Sequence, residues 1–369
     1  MLDIIHFHPN GAMAKKFVLP LMSTEERVGL RSELITSSLS EKVIKYDLAL
    51  RNILILPYSF LKIIKIIRNE KPSIVISHNT RSSLLPLLAA KICRIKRIVY
   101  FNHGAPYLGH RWMLKFILIL LEKFNLYLAN ETITVSTEMV TALKKISDKE
   151  ISLINFGSAC GIEAPIKGLN DRKFKCGIGL KTTDFIIAFV GRPIKRKGYN
   201  LTIQMWEKFF ANKEGYKLLI YGGVDQTPKK LSWIRNIKFM GFSDNIERVI
   251  SNIDCLILPS YHEGLSYIAL EASVYGCTVI ASEVPGLRCI IKNGKNGFLI
   301  PSHKIASYAK IIEHLRGNPI SNKTKEDISK EIFQKYNREN FMIEYSKFLG
   351  LKSHQPKQFK SAIKYAHNK

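Results

Sequence analysis

Short apolar runs alternate along the chain with longer segments whose apolar residues recur at helical spacing. The first half contains predicted strands at residues 4–7, 73–77, 97–101, 132–135 and 151–155, with shorter candidates at 33–36 and 42–46. The second half contains them at 184–190, 216–221, 238–240, 255–258, 279–281 and 296–300. The predicted helices are 59–69, 82–93, 111–128, 136–146, 200–211, 265–275, 305–315 and 326–349. This alternation predicts an α/β protein built on doubly wound parallel sheets.

A segment rich in small residues and turn formers, 156–165, separates the two series of strands. Such a composition is typical of a crossing between domains. We therefore predict a first domain at 1–165 and a second at 166–325, followed by a helical segment at 326–350. The last stretch, 351–369, carries five lysines and no acidic residue, and it is predicted to be a basic tail.

The composition suits two globular domains of ordinary size, with 369 residues of which 46% are apolar and 23% charged. Six scattered cysteines without a Cys-x-x-Cys pair favour a reduced, cytoplasmic protein over a zinc site or a disulfide framework. We expect neither a secretory signal nor a membrane-spanning segment. The formal charge of +26 favours either an anionic membrane surface or general binding to polyanions.

The most informative pattern lies between Pro259 and Ser273. A buried strand, a tight turn and an apolar helix follow one another there, as in the βαβ unit of a parallel sheet. Glu263 lies in the turn, where such units bind ligands. Glu271 projects from the helix about 12 Å further along. A carboxylate on so apolar a helix must be paired or used by a ligand, so a structural cap of a nearby loop is the alternative to ligand binding.

The run from Glu263 through Ala272, with Gly276–Ser282 after it, resembles the acidic signature of the retaining nucleotide-sugar glycosyltransferases of family 4. In that family two glutamates bracket seven residues, as Glu263 and Glu271 do in this chain. The resemblance implies the GT-B fold, which consists of two Rossmann-like, doubly wound domains facing a cleft. It also implies that residues 326–350 return to the first domain.

The same resemblance implies which groups meet the donor. Glu263 would contact the donor sugar and phosphate, and Glu271 would accept the ribose hydroxyls, much as an acid does in dinucleotide folds. The backbone N–H groups expected to join Glu263 are those of Gly264, Leu265 and Ser266.

The loop Gly191–Gly198 carries four cations directly after the strand at 184–190. Cations at the carboxyl end of a parallel strand are suitably placed to bind a pyrophosphate, although so basic a chain also has solvated basic loops. The family pattern of Gly-Arg followed by Lys-Gly matches Arg192 and Lys197 rather than Lys195 and Arg196. The resemblance implies that Arg192 and Lys197 neutralise the departing nucleotide diphosphate.

Two places in the first domain are further candidates at the ligand edge. His103 follows the strand at 97–101 in an Asn-His-Gly-x-Pro-Tyr sequence that resembles the same enzymes. The resemblance implies a hydrogen bond from His103 to the donor sugar or the β-phosphate. Asn10 and Gly11 follow the first strand, where a backbone can approach a phosphate or an acceptor closely. A structural histidine and an ordinary Asn-Gly turn are the alternatives.

Three positions depart from the family pattern. Cys160 stands where asparagine is usual, Glu163 where aspartate is usual, and Cys289 where a third glutamate is usual. The sequence contains no Asp-x-Asp and no histidine–carboxylate cluster with metal-ligand spacing. We therefore expect a transfer without a metal or another cofactor, in which cationic side chains act on the phosphates. Nucleotide-triphosphatase and dinucleotide motifs do not occur either.

The sequence thus predicts a retaining hexosyl- or N-acetylhexosaminyltransferase that uses a nucleotide-diphosphate sugar, with UDP favoured. The resemblance implies a lipid-linked saccharide acceptor in bacterial O-antigen (lipopolysaccharide), capsule or exopolysaccharide synthesis, at the inner face of the cytoplasmic membrane. Segments 59–68 and 111–128 combine lysines with bulky apolar side chains, so they either dock on an anionic membrane or pack in the core. The rivals are a nucleotide-sugar 2-epimerase of the same fold and a non-enzymatic polyanion-binding protein; no nucleic-acid partner is expected.

Overall fold

A computed structural model describes residues 2–36, 48, 53–110, 112–166, 168–169, 171, 173–223, 228, 231–301 and 303–351. The chain forms two compact units. The first comprises Met1–Gly161 and the segment from Tyr336 onward, and the second comprises Ile162–Lys335. The strand candidate at 42–46 and the basic tail after residue 351 lie outside the described residues.

Six parallel strands form the sheet of the first unit, in the order β2-β1-β3-β4-β5-β6. They are β1 (Ile4–His8), β2 (Ser32–Thr36), β3 (Ile74–His78), β4 (Arg97–Asn102), β5 (Glu131–Thr134) and β6 (Ser152–Leu153). The helices are α1 (Gly11–Phe17), α2 (Leu19–Arg27), α3 (Leu56–Glu70), α4 (Thr80–Ile92), α5 (Trp112–Leu128) and α6 (Thr137–Lys144). β1 and β3 are buried at every position, as is typical of parallel strands with helices on both faces of the sheet.

A second sheet of six parallel strands, in the order β12-β11-β10-β7-β8-β9, forms the other unit. Its strands are β7 (Phe185–Val190), β8 (Tyr216–Tyr221), β9 (Ile237–Gly241), β10 (Cys255–Leu258), β11 (Thr278–Ser282) and β12 (Gly297–Ile300). The helices are α7 (Lys173–Gly177), α8 (Tyr199–Phe209), α9 (Ile246–Ile250), α10 (Tyr267–Val274), α11 (Ile305–Gly317) and α12 (Asn322–Tyr336). The prediction of two doubly wound parallel sheets is confirmed.

The helical segment predicted at 326–349 is divided into two helices, α12 and α13 (Arg338–Phe348). Asn337 separates them because its backbone is extended and its side chain accepts a hydrogen bond from the backbone N–H of Asn340 at 2.8 Å. The boundary between the units falls at Tyr336, so residues 326–335 belong to the second unit and α13 to the first. In the described part of the chain, every helix is too short or too polar to cross a lipid bilayer.

Candidate active site

The strand order of the second sheet reverses between β10 and β7, which lie side by side, with Cys255 paired to Ile187. Ligands of doubly wound sheets bind at such a switch point, beyond the carboxyl ends of the strands. The loop after β7 carries the predicted cations, and the loop after β10 carries Glu263. The topology therefore brings the two predicted parts of the donor site to one edge of one sheet.

Both oxygens of the Glu263 carboxylate are held by side chains from this edge. Lys197 Nζ donates to Oε1 at 2.7 Å, and Arg196 Nη1 donates to Oε2 at 3.1 Å. The hydroxyl of Ser260 donates to Oε1 at 2.7 Å. Only 7% of the Glu263 surface is exposed. The carboxylate is thus fixed in position by two cations and a hydroxyl.

These contacts decide the charge of Glu263. Burial alone would raise the pKa of its carboxyl group. The charges of Lys197 and Arg196, together with the hydrogen bonds from Lys197 and Ser260, outweigh that effect and hold the pKa below its ordinary value. Glu263 is therefore an ionised carboxylate at neutral pH, surrounded by positive charge.

The loops after β7 and β10 also join through their backbones. Tyr261 N donates to the carbonyl of Arg196 at 2.8 Å, and the Arg196 guanidinium donates to the carbonyl of His262 at 3.2 Å. Gly198 adopts a φ of +72°, and a Cβ there would lie 2.0 Å from the carbonyl oxygen of Pro259. Glycine is required at this position because no side chain fits between the loops.

The predicted pair of cations is extended by Arg196. Lys197 contacts Glu263 directly, as does Arg196, which the family pattern had set aside. Arg192 is electrostatically coupled to the same group: partial burial and then the charge of Arg196 lower its pKa, and Glu263 opposes them. Lys195 is exposed. Two cations, Arg196 and Lys197, therefore contact the carboxylate, and the exposed Arg192 adds a third positive charge in the same loop. Their sum leaves a net positive charge for an anionic ligand.

The turn before α10 contains the predicted backbone donors. Gly264 and Leu265 precede the helix, and Ser266 is its N-cap residue. The N–H of Ser266 donates to the carbonyl of Gly286 at 3.3 Å, so this amide already has an intramolecular partner. Glu271 is half-buried within α10. The ligand roles of these residues stay predictions.

The candidates of the first unit lie at the carboxyl edge of its own sheet. Asn10 is the N-cap of α1, and its side-chain oxygen accepts from the N–H of Met13 at 3.0 Å. Gly11 is the first residue of that helix. His103 follows β4, and its Nε2 lies 2.9 Å from Nδ1 of His78. Asn10 thus has a helix-capping role, whereas His103 belongs to a cluster of side chains.

Sequence reasoning missed the other members of that cluster. His6 and His78 lie on β1 and β3, and His8 lies at the end of β1. Burial lowers the pKa of His8 to about 4, with the charge of His6 contributing. The available signal was that histidines occur at or near the ends of three predicted strands, but only His103 was considered.

Two family models match most of the chain. The model described as "Glycosyl transferases group 1" matches residues 170–335, and the model described as "Glycosyltransferase Family 4" matches residues 28–157. The first match contains the cation loop, Glu263 and Glu271. The second contains His103.

Curated relatives and solved structures agree with these matches. The chain is 26% identical over 268 residues to the capsular polysaccharide biosynthesis glycosyltransferase CapM of Staphylococcus aureus, covering 70% of each chain. It is 24% identical over 292 residues to a UDP-Gal:α-D-GlcNAc-diphosphoundecaprenol α-1,3-galactosyltransferase of Escherichia coli, covering 76% of this chain and 75% of the relative. HepE of Anabaena, solved in complex with UDP-glucose, has the same fold with a TM-score of 0.72 and 14% identity, over 95% of this chain and 100% of that one. The chain therefore belongs to the group 1 and family 4 glycosyltransferases and has their GT-B fold.

Proposed function

We propose that the protein is a retaining hexosyl- or N-acetylhexosaminyltransferase that moves a sugar from UDP to a lipid-linked saccharide in bacterial surface-polysaccharide synthesis. The observation that carries the proposal is the Glu263 carboxylate held by Lys197 and Arg196 at the switch point of the second sheet. The printed names of the capsular relative and of the galactosyltransferase acting on a diphosphoundecaprenol-linked sugar support the acceptor class. The UDP-glucose bound to HepE supports the donor class.

The charges around Glu263 suit the departure of a diphosphate. When the bond between the sugar C1 and the phosphate oxygen breaks, the electron pair stays on that oxygen, and Arg192, Arg196 and Lys197 neutralise it. A charge-assisted hydrogen bond of this kind contributes about 1.5–3 kcal/mol. The sugar gains oxocarbenium character, which a nearby carboxylate such as Glu263 stabilises. The acceptor hydroxyl then bonds to C1 on the face that the diphosphate left, and its proton passes to the departing phosphate oxygen.

We expect the transfer to require no metal ion, because these three cations can neutralise the charge on the diphosphate that a metal ion would otherwise neutralise. Purified protein treated with EDTA and dialysed should transfer sugar at the untreated rate. Loss of activity that is restored by Mg²⁺ or Mn²⁺ would contradict this expectation.

We also propose that the first unit docks on the inner face of the cytoplasmic membrane. Bulky apolar side chains of α5 are exposed, among them Trp112 at 87%, Phe116 at 63% and Tyr127 at 70%. Lys115 and Lys123 of the same helix are exposed beside them. An amphipathic surface of this kind, on a chain with a formal charge of +26, fits an anionic lipid interface.

A panel of nucleotide sugars tests the proposed function. We expect a UDP-sugar to raise the melting temperature, and the same sugar to be transferred to a diphospholipid-linked saccharide with retention of anomeric configuration, as read by NMR. Conversion of the donor without any acceptor would instead indicate the 2-epimerase. Salt-sensitive binding of nucleic acid that is unaffected by Glu263→Gln, without sugar transfer, would indicate the polyanion-binding protein.

A further inference from the structure

Helix α5 has polar side chains on its buried side. Glu122 and Asn125 are wholly buried, whereas bulky apolar residues of the same helix, such as Phe116 and Tyr127, are exposed. A helix on the surface of a globular protein normally has the opposite arrangement. Burying a carboxyl group and an amide costs free energy unless hydrogen bonds compensate for it. The contacts of these two side chains therefore show what their burial provides.

Glu122 contacts the end of β4. Its Oε1 accepts from the hydroxyl of Tyr100 at 2.7 Å and from Nδ2 of Asn102 at 2.9 Å. Tyr100 and Asn102 lie on the same face of β4, because side chains on a strand alternate between the two faces. Asn102 is the last residue of the strand. The Glu122 carboxyl group therefore joins α5 to the point at which β4 ends.

Asn102 in turn holds the turn that carries His103. Its Oδ1 accepts from the backbone N–H of Gly104 at 3.0 Å, and its Nδ2 donates to the carbonyl of Gly104, also at 3.0 Å. The hydroxyl of Thr134 on β5 donates to the same Oδ1 at 3.1 Å. The Asn102 side chain thus binds both backbone groups of Gly104, and His103 lies between these two residues. The place of His103 at the carboxyl edge of the sheet therefore depends on a side chain that Glu122 holds.

The second oxygen of Glu122 indicates which form of the carboxyl group makes these contacts. Among the described residues, neither Oε2 of Glu122 nor Oδ1 of Asn125 has a hydrogen-bond partner, although both atoms are buried. The two residues are three positions apart on α5 and are therefore neighbours on its surface. An ionised Oε2 and an amide Oδ1 are both acceptors, so a proton on Oε2 is what gives this pair a donor.

The surroundings also favour the protonated form. Burial raises the pKa of Glu122 to about 7, and hydrogen bonds only partly offset this effect. The titratable groups that face Glu122 are Tyr100 and, from the 3₁₀ turn Pro106–Gly109, Tyr107, and burial raises the pKa of both. The neighbouring side chain of α4, Thr80, does not titrate. No charged side chain in the described part of the chain contributes to the pKa of Glu122.

We propose that Glu122 is a positioning residue for sugar transfer: its protonated carboxyl group holds Asn102, and Asn102 holds the turn 102–104 in the conformation that transfer requires. This inference rests on the proposed function. When the proton leaves, Oε2 carries a charge in a place where no described group donates to it, so α5 must move or water must enter. The contact between Glu122 and Asn102 is then lost, and transfer slows as the pH passes about 7.

Steady-state kinetics with a UDP-sugar and a diphospholipid-linked saccharide, between pH 6 and 9, test this dependence. We expect kcat/KM of the wild type to fall at least tenfold over the range, as for a group that must be protonated. Glu122→Gln should match the wild type at pH 6 and lose the fall, because the amide keeps an acceptor for Asn102 and supplies a donor for Asn125. Glu122→Leu should lower kcat at least tenfold already at pH 6. A fall that is equally steep in Glu122→Gln would overturn the inference.

Two comparisons separate positioning from a general loss of stability. Leu118→Ala removes another buried side chain of α5, one turn before Glu122, so it should lower the melting temperature but keep the wild-type pH profile. In an Asn102→Ala background, Glu122→Leu should change kcat less than twofold further, because the link to the turn is already broken. Effects of Glu122→Leu and Asn102→Ala that simply multiply would show that Glu122 does not act through Asn102.

Hydrogen exchange at the Gly104 amide tests the turn without any substrate. Between pH 6 and 8, the protection factor of this amide should fall in the wild type and stay constant in Glu122→Gln. At pH 6 it should be at least tenfold lower in Glu122→Leu than in the wild type. Constant protection in the wild type would overturn the inference, even if Glu122→Leu does not fold. If the wild type transfers no sugar from any donor, the proposed function fails, while the exchange still decides whether Glu122 holds the turn.

Discussion

Lys197 Nζ lies 2.7 Å from Oε1 of Glu263, so the lysine that the family pattern assigns to the diphosphate also keeps this carboxylate ionised. The two residues lie on loops that follow different strands and are 66 positions apart in the chain. A diphosphate bound at this edge would share Lys197 with Glu263. Binding of the leaving group and the charge of the carboxylate are therefore coupled.

The cations around Glu263 should differ in their effect on catalysis. We expect Arg192→Ala, Arg196→Ala and Lys197→Ala each to lower kcat/KM at least tenfold, which corresponds to about 1.4 kcal/mol or more. Lys195→Ala is the matched control, because Lys195 belongs to the same loop but the contacts with Glu263 are made by Arg196 and Lys197, and it should stay near wild type. A large loss of kcat/KM in Lys195→Ala with none in Lys197→Ala would contradict the assignment of Lys197 to the diphosphate.

The two glutamates should separate binding from turnover. Glu271→Gln should mainly weaken the binding of UDP, since its proposed role is to accept the ribose hydroxyls. Glu263→Gln should mainly lower kcat, since its proposed role is at the reacting sugar. Titration calorimetry with UDP and steady-state kinetics measure the two effects. An equal loss of UDP affinity in both variants would refute this division.

The strands could be predicted because the sheets impose a simple pattern. β1, β3, β7 and β10 are buried on both faces and therefore appear in the sequence as short, nearly continuous apolar runs. Helix α2 was missed because its sequence, Leu-Pro-Leu-Met-Ser-Thr-Glu-Glu-Arg, has no sustained apolar stripe.

The side-chain geometry of the site was only partly predictable. The loop of cations and Glu263 could be found from their places after two strands. Which cation reaches the carboxylate depends on the tight 3₁₀ turn Lys195–Lys197, whose side chains diverge within three residues. The cluster of His6, His8, His78 and His103 depends on the pairing of β1 with β3 and of β3 with β4, and a single sequence does not specify which strands are neighbours.

Gly198 should be intolerant of a side chain for steric reasons as well as for its backbone angle. Gly198→Ala puts a Cβ 2.0 Å from the Pro259 carbonyl oxygen, so the two loops must separate and the Lys197–Glu263 contact must lengthen. Gly294→Ala is the control, because Gly294 has a similar φ of +74° and nothing within 4 Å of the added atom.

We expect about 1 kcal/mol of destabilisation for Gly294→Ala. Gly198→Ala should lower the free energy of unfolding by several times that amount, and it should lower the rate of sugar transfer at least tenfold. Equal changes in melting temperature would contradict the steric argument.

Glu122 on α5 should make the first unit less stable as the pH rises. It is wholly buried, its Oε1 accepts from the hydroxyl of Tyr100 at 2.7 Å and from Nδ2 of Asn102 at 2.9 Å, and burial raises its pKa from 4.5 to about 7. The folded state therefore holds the proton of the Glu122 carboxyl group more tightly than the unfolded state does. The stabilisation that comes from this protonation is complete below pH 4.5 and is lost as the pH passes about 7.

Denaturant titrations between pH 5 and 8 measure this loss. We expect the wild type to lose up to roughly 3 kcal/mol over the range, at about 1.4 kcal/mol per pKa unit. Glu122→Gln should remove most of that dependence, because the amide keeps an oxygen acceptor without a charge. Glu207→Gln, at an exposed position, should keep the wild-type slope. A wild-type stability that does not change with pH would refute the assignment.

The exposed face of α5 and three basic side chains of α3, Lys62, Lys65 and Arg68, should bind anionic membranes together. Both helices pack against α4, and Lys65 and Arg68 of α3 are exposed. For segment 59–68 the sequence left membrane docking and core packing open, and Ile63 and Ile67 of α3 are buried in the core. The apolar contribution to docking must therefore come from α5.

Co-sedimentation with phosphatidylglycerol vesicles at low and high salt tests this docking. At about 1 kcal/mol per cation near an anionic surface, changing Lys62, Lys65 and Arg68 to glutamine should weaken binding at low salt about a hundredfold. The double variant Trp112→Ser with Phe116→Ser should weaken binding at both salt concentrations, because the contribution that it removes is hydrophobic and is not screened by salt.

The charge control is the double variant Lys144→Gln with Lys145→Gln, which changes exposed cations near the end of α6 and should have little effect on binding. All variants should still transfer sugar to a short soluble acceptor, since the changes lie outside the proposed donor site. Wild-type protein that stays in the supernatant at low salt would show that this face does not meet the membrane.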